Sequence, residues 1–233
     1  MIQNFHSRDA WADAAADRLA GALADALAAD GRALFAGSGG STPSPIYTRL
    51  AQSDLDWTKV TATLVDERYV PEASPDSNAA LLKRSLLIGP AATARFIPLY
   101  SPAVTVDRAA ALASQALTAE GRALDAVLLG MGEDGHICSM FPGSPTLTTL
   151  LTPSLKPAVY GVPAGRDGAA PPQERLTLNL SWLAGARRVV LALTGAKKRA
   201  VFEREAAGDP AVSPVAALIA ANAPLEVLWT EAG

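Results

Sequence analysis

Leu124-Asp-Ala-Val-Leu-Leu-Gly-Met-Gly-Glu-Asp-Gly-His136 reads as a buried strand that runs directly into a glycine-dense turn. Leu124 to Leu129 is a short apolar run of strand length. Gly130, Gly132 and Gly135 then allow positive φ and close approach of the backbone to a ligand. At the tip of the turn stand an acid, Asp134, and one of the two histidines of the chain, His136. A strand that delivers a polar loop at its end is the building unit of an open α/β sheet, where ligands sit beyond the carboxyl ends of the strands. An imidazole beside a carboxylate in that place is a proton-handling pair. The bland alternative is a structural histidine, but the strained glycine setting favours chemistry. Cys138, two residues on, reads as a small buried packing residue rather than a nucleophile.

Outward from this stretch, helix-like and strand-like segments alternate. Trp11, Ala15, Leu19, Leu23 and Leu27 recur at spacing four and predict a helix over about Asp9 to Ala29, closed by Gly31. Strands are expected at Ala33 to Ala36, Val60 to Val65, Arg95 to Leu99, Val159 to Val162, Leu176 to Leu180, Arg188 to Leu193 and Leu225 to Trp229. Helices are expected from Pro43 or Pro45 to Ala51, and over Asn78 to Leu87, Val106 to Glu120, Ala196 to Ala207 and Ser213 to Ala221. This pattern predicts an α/β fold with a mainly parallel sheet flanked by helices on both faces. No linker or repeat divides the 233 residues, so one domain over 1–233 is expected, with Gly165 to Gln173 as a surface loop.

Composition narrows the function classes. A net charge of −3 without a basic stripe argues against nucleic acid as a partner. No apolar run is long enough to span a membrane, and the N-terminus has no basic segment followed by an apolar one, which argues against a secretory signal. One cysteine excludes an intrachain disulfide and fits a reducing cytoplasm. Two histidines and one cysteine make a zinc site an unfavourable reading. Asn179-Leu-Ser181 matches a glycosylation sequon that chance explains better.

Gly37-Ser-Gly-Gly-Ser-Thr-Pro43 lies between a strand and a helix. It offers backbone N–H groups and hydroxyls at a helix N-terminus, where phosphate is favoured; a plain strand-to-helix turn is the alternative. In Asp66-Glu-Arg-Tyr-Val-Pro71, Arg68 has the fork that grips phosphate. A structural ion pair among Asp66, Glu67 and Arg68 competes with that reading. Asn78 is read as a helix cap. Arg175, at the head of an alternating strand, and Lys197 and Lys198, at the start of a helix, are either surface charge or anion-binding groups. His6 lacks an acidic or glycine-rich setting and receives no role.

The ordered set resembles the 6-phosphogluconolactonase family, which shares its fold with glucosamine-6-phosphate deaminase. The resemblance is carried by Ser38-Gly-Gly-Ser-Thr-Pro43, Asp66-Glu-Arg-Tyr-Val-Pro71 with Ser77-Asn78, Gly130-x-Gly-x-Asp-Gly-His136 with Phe141-Pro-Gly143, and Arg175-Leu-Thr-Leu with Gly195-x-x-Lys198. The deaminase branch has an Asn-Glu-Pro-type segment after Gly-His, where this chain has Ser139-Met-Phe-Pro-Gly143, and Asp-Glu-Tyr in place of Asp-Glu-Arg. The resemblance implies a modified Rossmann-like domain that hydrolyses 6-phospho-D-glucono-1,5-lactone, in the oxidative pentose phosphate pathway, without metal or organic cofactor. It implies His136 as the catalytic base. It also implies Arg68 and Lys198 as phosphate or substrate contacts and Gly39, Gly40 and Ser41 as the phosphate loop, while the placement of Ser38, Thr42 and Arg175 adds them to the expected binding residues. Asp66 is expected at the substrate. Asp134 is expected to orient His136 or stabilise its charged form, with backbone N–H groups of the glycine turn facing the oxyanion. A monomer is favoured, with a small sugar-phosphate lactone as its partner.

Two departures from the family pattern stand out: Cys138 and Met140 occupy positions usually held by a small residue and leucine. The stretch Gly165-Arg-Asp-Gly-Ala-Ala-Pro-Pro172 lacks the family's lysine, for which Arg166 is a substitute. The rival readings are an amino-sugar-phosphate deaminase with Asp66 as base, and a sugar-phosphate sensor without turnover.

Overall fold

Mostly apolar runs of four or five residues, buried along their whole length, make the centre of the molecule. In the computed structural model, which describes residues 2–40, 42–165 and 171–232, the chain begins with β1 (Ile2–Phe5), α1 (Arg8–Asp30), β2 (Ala33–Gly37) and α2 (Ser44–Leu50). It continues through β3 (Val60–Leu64), β4 (Asp66–Arg68), α3 (Asn78–Ser85), β5 (Arg95–Phe96), α4 (Val106–Thr118), β6 (Ala126–Leu129) and α5 (Leu147–Leu151). The last elements are β7 (Val159–Val162), β8 (Arg175–Leu178), α6 (Leu180–Ala184), β9 (Val189–Thr194), α7 (Gly195–Ala206), α8 (Pro214–Ala220) and β10 (Leu225–Thr230).

Seven strands pair in the order β1-β10-β9-β6-β2-β3-β5, and every pairing among them is parallel. Since successive side chains of a strand point to opposite faces, the uninterrupted burial of β2, β3 and β6 means that both faces of the sheet are covered. The α/β expectation therefore holds. α1 supplies much of that cover. Ser7 caps it by accepting from the Ala10 N–H at 3.1 Å, and Gly31 ends it at φ 70°. Trp11, Ala15, Leu19 and Leu23 are fully buried, whereas Leu27, the last of the expected stripe, is only partly covered. Trp11 also donates its Nε1–H to the Leu228 carbonyl at 3.1 Å, tying the helix to β10.

Three differences from the sequence reading matter for the site. β7 and β8 do not join the parallel sheet; with β4 they form a separate antiparallel sheet in the order β4-β8-β7. The strand expected to reach Leu180 ends at Leu178, and α6 starts after Asn179. The polar N-terminus carries an unforeseen strand, β1, an edge strand that leans on β10 rather than on an apolar pattern of its own. One hydrophobic core runs through both sheets and supports the single-domain reading.

Candidate active site

The small sheet explains why acids and an arginine sit together in Asp66-Glu-Arg68. These residues are a strand in their own right, so Asp66 and Arg68 point to one side and Glu67 to the other. Glu67 turns to the N-terminus of α3, where its carboxylate accepts from the N–H groups of Asn78 at 2.7 Å and Ala79 at 2.8 Å and from Ser77 Oγ at 3.2 Å. Burial raises the Glu67 pKa, against the pull of these donors. The ion pair weighed for Asp66, Glu67 and Arg68 does not form; Arg68 instead donates to the Asp76 carbonyl at 2.6 Å. Ser77, not Asn78, caps α3, and the freed Asn78 amide donates to the Asp66 carbonyl at 2.9 Å.

Asp66 and Arg68 face a cavity of about 220 Å³ at the carboxyl end of the parallel sheet. Ser38, Gly39, Gly40 and Thr42 line it after β2, His136 after β6, Arg175 from β8 and Lys198 from α7. Ser41 and Arg166 lie outside the described residues. A Cβ on Gly39 would overlap the Asn78 amide, and Gly40 holds φ 87°, so the loop needs glycine at both positions. α2 has only seven residues, which leaves the loop itself, more than a helix dipole, to meet an anion.

The glycine turn is joined to the small sheet through Ser139. Its Oγ donates to Asp66 Oδ2 at 2.7 Å, and its N–H donates to Thr177 Oγ1 at 3.2 Å. Asp66 and Thr177 are themselves cross-strand partners. One buried serine thus registers the histidine-bearing turn against β4 and β8. Within the turn, Asp134 Oδ1 lies 2.6 Å from His136 Nδ1. Burial opposes ionisation of Asp134, but the hydrogen bond and charge of His136 outweigh it and hold the carboxyl below its usual range. The imidazole side chain is 28% exposed, so it reaches solvent through the cavity. Asp134 stands behind it and is not part of the cavity wall. Cys138 is buried at φ 53°, and its thiol is pushed well up by burial and by Asp66, as suits a packing residue.

Three cations share the cavity: Arg68, Arg175 and Lys198. Among the described residues, none of the three forms an ion pair, whereas Lys197 next door pairs with Glu133. Burial lowers the Arg175 pKa, against the pull of Asp66 and with Arg68 adding repulsion; burial also lowers that of Lys198, against Glu133. Arg68 and Arg175 are direct partners in the β4–β8 register, and like charges so placed repel. Half-buried cations without carboxylate partners are costly unless an anion arrives. Among the described residues, no group of three or more His, Cys, Asp or Glu side chains is placed to hold a metal ion, and no helix is long and apolar enough to cross a membrane.

Asn78, Gly130, Met131, Gly132 and Cys138 complete the wall, and none of them was named as a substrate contact. Gly132 had a visible signal in the glycine spacing. Asn78 belonged to the family motif but was read only as a helix cap, since its contact with Gly39 joins separate parts of the chain.

The family described as glucosamine-6-phosphate isomerases/6-phosphogluconolactonase matches residues 6–229. A 6-phosphogluconolactonase of Rhizobium meliloti (strain 1021) is 44% identical over 97% of this chain and 96% of its own. One from Caulobacter vibrioides is 42% identical over 99% and 97%. The crystal structure of a 6-phosphogluconolactonase from Shewanella baltica OS155 superposes with a TM-score of 0.90 at 32% identity, covering 99% of this chain and 97% of the other.

Proposed function

The chain belongs to the glucosamine-6-phosphate isomerase/6-phosphogluconolactonase family, and we propose that it hydrolyses 6-phospho-D-glucono-1,5-lactone to 6-phosphogluconate. The observation that carries this reading is the meeting, in one cavity, of a single solvent-reaching imidazole and three cations that form no ion pair among the described residues. The cations and the Ser38 to Thr42 loop hold the phosphate. That anchoring holds the lactone carbonyl against His136, so binding energy from the remote phosphate serves orientation at the reacting carbon.

Asp134 keeps a proton on Nδ1 of His136, which leaves Nε2 to accept one. Nε2 takes a proton from water as the oxygen attacks C1. The carbonyl electrons move onto its oxygen, which faces backbone N–H groups of the glycine turn. The tetrahedral centre then collapses, the bond from C1 to the ring oxygen breaks, and the imidazolium returns its proton to that oxygen. The product is the open-chain acid, which ionises in water. This chemistry calls on neither metal nor organic cofactor. The single cysteine supports a cytoplasmic setting, and the cavity lined by residues of one chain is consistent with a monomer.

A pH-stat assay on freshly made lactone, corrected for spontaneous hydrolysis, tests the reading: base consumption above the blank is expected, and no ammonia from glucosamine 6-phosphate. The reverse result would establish the deaminase reaction. Asp66, the base that reaction would use, is buried and already accepts from Ser139.

Arg68→Ala is expected to weaken binding of 6-phosphogluconate by about 10- to 100-fold, the worth of a charge-assisted hydrogen bond. Isothermal titration would check it, and unchanged affinity would remove Arg68 from the anion site.

A further inference from the structure

Phe141 follows the glycine turn and opens Phe141-Pro-Gly143. Its ring lies against the His136 imidazole, with centroids 4.4 Å apart and planes tilted by 39°. The guanidinium carbon of Arg175 stands 5.8 Å from the centre of the same ring. One aromatic side chain therefore contacts both the proposed base and one of the cavity's cations, which come from different sheets.

Neither neighbour is firmly held by anything else. Among the described residues the His136 ring has one hydrogen-bond partner, Asp134, whose side chain is itself 54% exposed. A single hydrogen bond at Nδ1 leaves the ring plane free to swing and so leaves the direction of Nε2 unset. Arg175 has no ion-pair partner among the described residues, and its buried Nε finds no acceptor. A flat ring limits what one hydrogen bond cannot, and its electron-rich face suits a guanidinium. Packing alone does not account for Phe141. It is only half-buried and belongs neither to the hydrophobic core nor to the partly covered side chains packed against it.

We infer that Phe141 is a positioning residue: it fixes the plane of the His136 imidazole so that Nε2 addresses the cavity, and it backs Arg175 with the same ring. The distance between the proton acceptor and the anion-holding cation is thereby set by one side chain. This rests on the reading of His136 as the base.

The test combines kinetics with the imidazole NMR signals, which number two ring systems because the chain has two histidines; a His6→Gln variant assigns them. In Phe141→Leu, kcat for the lactone is expected to fall about tenfold, a modest case of the loss that misplacement brings. KM is expected to change much less. The His136 ring protons are expected to lose the upfield shift that the neighbouring aromatic ring imposes. Phe141→Tyr keeps the ring and is expected to restore both kcat and the shift. If Phe141→Leu does not fold, Phe141→Met takes its place. A leucine or methionine variant with kcat within twofold of wild type, or with unmoved His136 signals, overturns the inference, as does a tyrosine variant that fails to restore them. Failure of the base reading is seen separately, as a His136→Ala variant that remains active, and it leaves the NMR comparison intact.

Discussion

His136→Ala is expected to lower kcat for lactone hydrolysis by about 10²–10⁴-fold, the usual contribution of a general base and the role proposed for this residue, while the protein stays folded. The fold is expected to survive because the imidazole is not a core element: its side chain is 28% exposed and, among the described residues, its ring bonds only to Asp134 two residues away. The rest of the cavity is built without it. The glycine turn closes through the Gly135 N–H on the Gly132 carbonyl at 3.1 Å, and Ser139 keeps its bonds to Asp66 and Thr177. Affinity for 6-phosphogluconate should therefore change little, because the three cations remain. Initial rates against the spontaneous background, together with thermal melting and product titration, decide the matter. A folded variant with near wild-type turnover removes His136 from the chemistry.

Gly132→Ala should be nearly as damaging, for a steric reason. A Cβ at Gly132 would overlap Cε1 and Nδ1 of His136 and Oδ1 of Asp134. These atoms are side-chain ends, so the fold yields by pushing the pair aside rather than by breaking. A shift of about 1 Å at a reacting group costs on the order of 10²-fold in rate. The expected result is a variant that melts close to wild type, binds product normally and turns over about a hundred times more slowly. Gly21→Ala, whose added carbon meets nothing within 4 Å on α1, is the control for handling and expression. A Gly132→Ala enzyme of normal kcat would show that the imidazole tolerates displacement and that the mechanism does not depend on its aim.

The parallel sheet apart from its polar edge strand β1 was legible because its inner strands are short and mostly apolar and alternate with helical segments, the first of which carries a spacing-four stripe. The Asp134–His136 contact was legible because it is local: two residues apart, across glycines. The antiparallel sheet was not, for two physical reasons. Asp66-Glu-Arg68 has no apolar alternation to betray a strand, and its partner, Arg175 to Thr177, lies in a distant part of the chain. Lys197 and Lys198 were told apart only by the family motif Gly195-x-x-Lys198, not by their own setting in the sequence. What separates them is the phase of α7, which starts at Gly195 and sends one toward Glu133 and the other into the cavity. Asn78 was taken for a cap because Ser77 and Asn78 both suit that place; the chain uses the serine and spends the amide on Asp66.

The facing arginines of β4 and β8 also govern how the protein behaves on the bench. An unliganded molecule carries two guanidinium groups in register that form no ion pair among the described residues, with Asp66 as the one carboxylate among those residues in the cavity wall, so it should collect whatever small oxyanion the buffer provides. By mass action such an ion raises the melting temperature in proportion to the logarithm of its concentration. The same ion competes with the lactone and inflates its apparent KM. Enzyme assayed in phosphate or sulfate would thus look sturdier and less avid than enzyme in a zwitterionic buffer of equal ionic strength, with kcat unchanged.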